Sequence, residues 1–406
     1  MRILLATHAS LEVDSGEERT LQDLGRHFLA RGHEVRFANY EGLLDNERRR
    51  SLAQIREQLG PVQVVPVRPM PFLGRFLAIP SPRGLKALAQ AILWADVVLF
   101  GQFYGLDVTM YLLGRILGRP IVCSQANSLF RHHRSSARDA AQEAYQRTVG
   151  MVLLRQFAGV RVCNSDDLRS LTERGCHRVV LMYPPNTDLS LATKPQELPN
   201  AYGAIARKLS GDARFKLLVA GRMTHQKGLD LLEDAVLRIG QNDPQIADHF
   251  VFLFAGTQQL PPELNGAAAR YPALVVSLGI IPRDYFPSIM DKVDALVMPS
   301  RYESFGKVAA EAQSLGKPVV GTNVTGLREV VANKVTGILI DEWSAEALAA
   351  AIEELHRVYT SEPERWNAMK TASRRNFEEH FGPTMVRGQM DSLATMLEAL
   401  APHPSR

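Results

Sequence analysis

The chain has 406 residues, 46% of them apolar and 22% charged, with a mean hydropathy of −0.11. That composition excludes a disordered chain, and the length allows roughly two to three domains, each with its own core. The 47 basic and 43 acidic residues leave +4, and no apolar run approaches the roughly 20 residues of a membrane-spanning helix.

Arg2 to Ser10 turns polar too quickly for a signal peptide, so a cytoplasmic protein is expected, with attachment at the inner face of the membrane as the alternative. Charge is uneven: residues 1–190 carry 24 basic and 18 acidic groups, and the remainder carries 23 and 25. A basic first half suits an anionic acceptor or a membrane surface. All its cations except Lys86 are arginines, and biased genome composition explains that equally well. Cys123, Cys163 and Cys176 have no metal-type spacing and read as core thiols.

Ile3 to Ala6 is an apolar strand, followed by the turn His8 to Gly16. A helix over Glu17 to Ala30 carries Leu21, Leu24, Phe28 and Leu29 at helical spacing, Gly32 stops it, and Glu34 to Phe37 starts a second strand. This is a βαβ opening. Strands at Val62 to Val67, Val97 to Phe100, Ile121 to Ser124, Val160 to Cys163 and Val179 to Met182, with helices between, continue a Rossmann-like domain. From Arg68 to Trp94, Phe72, Leu73 and Phe76 mix with Arg68, Arg75, Arg83 and Lys86. A helix there is expected to put Leu85, Leu88, Ala89, Ile92 and Leu93 on one face. Core packing with a solvated rim is the duller account of this stretch; contact with an anionic membrane is the sharper one. Arg131 to Arg134 reads either as a clamp for an anionic acceptor or as a hydrophilic loop. His132 and His133 are adjacent, so they do not share a side and make no metal pair. Asn164 to Asp167 reads as a helix cap, and 191–213 as a linker with one helical piece.

In the second half, the strand Phe215 to Ala220 is followed by Gly221, Arg222, Lys227 and Gly228, then by a helix from Leu229. Such a turn can bring a planar guanidinium and a point-charge ammonium onto one diphosphate. Strands at Val251 to Ala255 and Leu274 to Leu278 exit into Gly256 and Gly279. The stretch Pro299 to Gly326 then organises the domain. A buried strand, Ala295 to Met298, hands over to a helix, and Glu303 and Glu311 lie eight residues apart. Eight helical steps, two turns plus roughly 80°, would let both carboxylates border one cleft. Amides of Phe305, Gly306 and Lys307 at the helix start would suit a phosphate. Taken singly, Glu303 is as well explained as a cap and Glu311 as the partner of a surface cation. Gly337 to Ile340 is the last strand; the helix Ala345 to Val358, capped by Ser344, follows.

Glu303, Phe305, Gly306 and Glu311, set between Pro299-Ser300 and the strand Gly316 to Val320, resemble the signature of retaining glycosyltransferases of family 4, with the GT-B fold. The resemblance covers most of the chain. It implies an α/β protein of two Rossmann-like, doubly wound parallel-sheet domains facing a cleft. They are an acceptor domain over 1–190 and a nucleotide-sugar domain over 214–380, with a final helix over 381–406 crossing back to the first. It further implies no cofactor and no metal, and a UDP- or GDP-linked sugar as donor. Arg222, Lys227 and Glu303 are expected in catalysis. The donor-binding set is Gly16, Gly221, Arg222, Lys227, Ile281, Glu303, Ser304, Phe305, Gly306, Lys307 and Glu311, with Arg283 beside the nucleobase. The family's glycine pair before the first helix is Ser15-Gly16 here, Thr187 replaces a glycine of its Pro-Asn-Gly-Val-Asp, and its amino-terminal histidine is absent. Gln125, Asn127, His132 and His133 are the acceptor-side candidates for that role.

The expected activity is retaining, metal-independent transfer to a glycan, lipid-linked or small-molecule hydroxyl, with no nucleic acid; membrane contact through the first domain is the alternative to ordinary packing there. The rival readings are a non-catalytic sugar-nucleotide-binding subunit and a same-fold epimerase.

Overall fold

The computed structural model describes residues 1–8, 16–40, 59–60, 62–70, 79–102, 105–126, 129, 137–191, 200–243 and 245–402. The chain divides into two compact units, one of residues 1–129, 136–185 and 386–406, the other of 130–135 and 186–385.

The first unit holds a seven-stranded sheet in the order β3-β2-β1-β4-β5-β6-β7. The strands are β1 (Arg2–Thr7), β2 (Glu34–Tyr40), β3 (Gln63–Val67), β4 (Val97–Gly101), β5 (Ile121–Gln125), β6 (Gly159–Val162) and β7 (Val179–Leu181). Every pairing is parallel. The central strands read as unbroken apolar runs because helices cover both faces; all five residues of β4 are buried. Helix Gly16–Ala30 and the terminal helix Pro383–Leu400 meet where Arg31 bonds Asp391 at 2.8 Å and Glu398 at 3.1 Å.

The second unit holds a six-stranded parallel sheet, β10-β9-β8-β11-β12-β13. Its strands are β8 (Phe215–Ala220), β9 (Phe250–Ala255), β10 (Val275–Gly279), β11 (Ala295–Met298), β12 (Val319–Thr322) and β13 (Gly337–Ile340). Phe215, Phe252, Phe254, Leu232, Ile352 and Leu355 lie within one buried cluster. Strand order reverses at β8 and β11, so their carboxyl ends flank the switch point at which open α/β sheets bind ligands. The stretch read as a linker holds the helix Asn200–Gly211. Ser344 does cap its helix, its Oγ accepting from the Ala347 amide at 3.2 Å.

One helix differs from its sequence reading. Helix Pro82–Trp94 buries Gly84, Leu88, Ala91 and Ile92, while Leu85 and Leu93 face solvent. The buried face is rotated towards the small residues because they permit close approach: a Cβ at Gly84 would sit 2.3 Å from the Arg68 carbonyl oxygen.

Arg374 ties the start of the second unit to its end. It grips both oxygens of Asp188 at 2.7 and 3.0 Å and reaches Ser190 Oγ at 2.8 Å. Burial alone would raise the Asp188 carboxyl, but hydrogen bonds from Arg374 and Ser190 bring it below its ordinary value. Replacing Arg374 by Met should therefore destabilise this unit by about 2 kcal/mol, a buried-pair loss reduced by the partial exposure of Arg374. The stability that wild type loses as pH falls through the lowered Asp188 value should shrink in the variant. Urea melts at neutral and acid pH check both.

Candidate functional site

The carboxyl ends of β8 and β11 carry two loops fastened to each other. The first runs from Gly221 through the 3₁₀ turn His225–Lys227 to Gly228, which opens helix Leu229–Asn242. The second runs from Pro299 to Gly306. The Arg301 amide donates to the Gln226 carbonyl at 2.8 Å, and Gln226 Nε2 donates to the Tyr302 carbonyl at 2.9 Å. Arg301 is buried; it donates to the His225 carbonyl at 2.8 Å, forms a two-point ion pair with Asp230, and lies 4.9 Å over the Trp343 ring. Burial would raise Asp230, yet Arg301 holds its carboxyl below the ordinary value. Two glycines make the approach feasible. Gly228 has φ +63° and its Cβ would fall 1.9 Å from the Pro299 carbonyl oxygen; Gly326 would put a Cβ 2.4 Å from the Phe305 nitrogen.

The clamp brings together most of the residues expected to hold a donor. Lys227 Nζ forms an ion pair with Glu303 Oε1, which also accepts from Ser300 Oγ at 3.1 Å. Gly221 sits at φ +127°, a backbone conformation that favours glycine. Arg222 is exposed, and its guanidinium has no hydrogen bond or ion pair among the described residues. The site thus presents an unpaired guanidinium and an ammonium with three donors, one already on Glu303.

Several expectations need correction. Glu303 is not on a helix: Gly306 at φ +85° interrupts the chain, and the helix is Lys307–Gln313. The angular argument linking the two glutamates therefore fails, and Glu303 is placed by its loop. Glu311 does not border an open cleft. Its side chain is 1% exposed, and Arg283 bonds both of its oxygens while donating to Thr187 Oγ1 at 2.8 Å. Arg283, expected beside a nucleobase, is thus the partner of Glu311. Thr187, which stands where the resembling family has glycine, is the third member of that network. Ile281 is buried, so its side chain is not a surface for a base; Gly279, at φ +72°, marks the turn before it. The sequence reading took Ser300 only as a neighbour of the motif, without a partner, and passed over Arg301, whose signal was a cation standing two residues before Glu303.

In the first unit, Gly16 is the first residue of its helix, and a Cβ there would meet nothing within 4 Å, so packing does not demand glycine. Gln125 ends β5 with its side chain fully buried, an interior group and not an open acceptor contact. Asn127, His132 and His133 lie outside the described residues. The three cysteines are buried and unpaired; burial pushes the Cys163 thiol up to about 11. The carboxyl edge of this sheet holds a buried arginine, Arg161. It donates to the Met182 carbonyl at 2.7 and 3.0 Å and to Ser124 Oγ at 3.2 Å. Glu17, half-buried as a residue, has its Oε1 closed off without a hydrogen-bond partner, over Gly101. Burial and then Glu18 push its carboxyl from 4.5 up to about 8, against the pull of Arg161.

A family model described as Glycosyltransferase Family 4 matches residues 15–186, and one described as Glycosyl transferases group 1 matches residues 214–357. A D-inositol 3-phosphate glycosyltransferase of Thermobifida fusca is 30% identical over 308 residues, covering 70% of this chain and 67% of its own. An alpha-D-kanosaminyltransferase of Streptomyces kanamyceticus is 24% identical, covering 60% and 63%. For other relatives the match is shorter, 41% of the length of a D-inositol 3-phosphate glycosyltransferase of Pseudarthrobacter chlorophenolicus. Among solved structures, Anabaena HepE in complex with UDP and glucose has a TM-score of 0.73 at 20% identity, covering 98% of this chain and 100% of that one.

Because the folded carboxyl of Glu17 sits above its ordinary value, its proton stabilises the fold and is released as pH rises towards 8. Wild-type melting temperature should fall between about pH 5 and 8 from this group, and Glu17→Gln should flatten that slope and raise melting by a few degrees at the alkaline end. Calorimetric melts across that range measure it, and parallel slopes in the two proteins would refute the assignment.

Proposed function

Because this chain belongs to glycosyltransferase family 4 and has the GT-B fold, we propose that it moves a sugar from a nucleotide-diphosphate donor to an acceptor hydroxyl, with retention and without a metal. The observation that carries this reading is the clamped loop pair at the switch point of a parallel sheet, which sets Lys227 on Glu303 and leaves the Arg222 guanidinium, in the same loop, without a partner among the described residues. Two structural neighbours favour uridine as the base, with guanosine as the alternative. HepE is solved with UDP and glucose, and the Escherichia coli trehalose-6-phosphate structure with UDP-2-fluoro glucose.

In this reading Arg222 and Lys227 take the oxygens of the diphosphate. Lys227 needs to give up no more than one donor to Glu303, whose second oxygen then accepts from sugar hydroxyls. Ser304 and the amides of Phe305, Gly306 and Lys307 line the same turn. The acceptor oxygen bonds to the anomeric carbon on the face from which the diphosphate leaves. The carbon–oxygen bond to phosphate breaks, and the acceptor proton passes to the departing phosphate oxygen. Charge accumulates on that leaving group, and the two cations oppose its cost by standing in place beforehand. The acceptor, a glycan, a lipid-linked or a small-molecule hydroxyl, belongs to the first unit.

The diphosphate assignment has a sharp test. Arg222→Ala should weaken UDP binding about tenfold or more, the loss of a charge-assisted hydrogen bond of about 1.5–3 kcal/mol, while leaving uridine binding unchanged. Titration calorimetry with UDP and with uridine distinguishes this from general damage; unchanged UDP affinity removes Arg222 from the site. In turnover, donor should be consumed only when acceptor is present and with chelator added, and the product anomer should match the donor. A covalent sugar trapped on Glu303 would overturn the front-face step, and donor conversion without acceptor would point to an epimerase.

A further inference from the structure

The first unit has a second feature that sugar transfer does not use. Crossovers from β3 to β4, β4 to β5 and β5 to β6 all run in one direction along the sheet, and right-handed crossing puts their helices on one face. These are Pro82–Trp94, Leu106–Leu117 and Met151–Gln156, the last continuing the π-helical turn Gln146–Gly150; neighbours among them touch, and by the same rule helix Ser165–Glu173, between β6 and β7, follows on that face. Arg119 joins two of them, donating to the Leu93 carbonyl at 3.1 Å.

Their outward positions are apolar to an unusual degree. Leu85 and Leu93 lie eight apart on the first helix; Val108, Leu112 and Ile116 form one stripe on the second; Val149 and Val152 project from the third. Ile116 is 75% exposed and Val152 58%. Scattered exposed leucines need no explanation, but one face carrying them on three adjacent helices does. Among the exposed positions of these helices the charged residues are Arg83, Lys86, Arg115, Arg147 and Arg155, with no acid. Asp107 is buried, and Glu143, partner of Arg147, is buried one turn earlier. A groove of ≈ 510 Å³ opens beside the third helix, walled by Val149 and Val152 and edged by Arg147, Arg155 and Arg174. Its chemistry fits a phosphodiester with an acyl chain beside it.

We propose that this three-helix face of the first unit docks on the surface of an anionic phospholipid bilayer. Apolar stripes enter the headgroup boundary, and the surrounding arginines and lysine meet lipid phosphates. Charge selects this occupant over a second copy of the chain: apposing two such faces would set cation against cation, whereas an anionic surface complements every exposed charge on these three helices, the exposed Glu173 standing on the next helix, Ser165–Glu173. The proposal does not depend on the reading of the donor site.

Flotation of the full chain with vesicles of phosphatidylcholine plus one-third phosphatidylglycerol, and with pure phosphatidylcholine, tests it without any sugar nucleotide. Binding should occur on the anionic vesicles alone and weaken as salt is raised. The doubly substituted Leu112→Ser/Ile116→Ser and Arg83→Glu/Arg115→Glu proteins should each lose about tenfold in bound fraction, with unaltered melting and circular dichroism showing an intact fold. Three results overturn the proposal. They are no anionic-vesicle binding by wild type, equal binding by wild type and both variants, and a wild-type dimer dissociated by the Leu112→Ser/Ile116→Ser change.

Discussion

Arg301 holds the second unit's site together. A buried guanidinium is costly unless its donors are met, and here they are met by Asp230, by the His225 carbonyl and by the face of Trp343. Those partners come from the loop after β8, the helix behind it and the segment after β13. Satisfying one side chain therefore fixes three segments in relation to each other. The backbone bonds between Arg301 and Gln226, and between Gln226 and Tyr302, follow from that closeness. So does the ion pair of Lys227 with Glu303. Arg222 keeps its guanidinium open because the loop's anchoring is done by its neighbours.

Close backbone approach is the second constraint. Gly228 lies against Pro299, Gly256 against Gly221, and Gly326 against Glu303 to Phe305, each where a Cβ would overlap backbone atoms. Backbone atoms do not move aside as a flexible side chain does, so these glycines determine how tightly the loops pack. The Gly326 amide adds a bond to the Glu303 carbonyl at 2.9 Å. Glu303 owes its position to this packing and to Ser300, in place of helical geometry. Glu311 is secured differently, by a two-point arginine whose far end rests on Thr187. A glycine at 187 would leave that arginine without its third acceptor.

The first unit shows how a parallel sheet separates its roles. Its carboxyl edge gathers Glu17, Glu18, Ser124 and Arg161, largely enclosed and bonded. One helix layer carries the terminal helix through Arg31 and His33. Three helices of the opposite layer, Pro82–Trp94, Leu106–Leu117 and Met151–Gln156 with its preceding turn, expose apolar and cationic groups and no acid. Such a partition has no packing benefit for the unit itself, which is why it reads as a surface for something else.

The sequence alone determined the order of strands and helices. Apolar runs, glycine stops and polar caps are local signals, and β11, helix Gly16–Ala30 and the Ser344 cap lie where those signals put them. The residue types of the candidate site were equally legible, because glycine, arginine, lysine and paired glutamates sit in one fixed order. Side-chain partnership was not legible. Arg283 and Glu311 are 28 residues apart, and Arg301 and Asp230 are 71 apart. Which cation meets which carboxylate depends on strand order and on how near two backbones come. The same holds for helix Pro82–Trp94: periodicity marks an apolar side, but only contact with Arg68 through Gly84 decided which way Leu85 and Leu93 face. Tertiary structure settles such choices because they turn on distances between segments that local sequence does not contain.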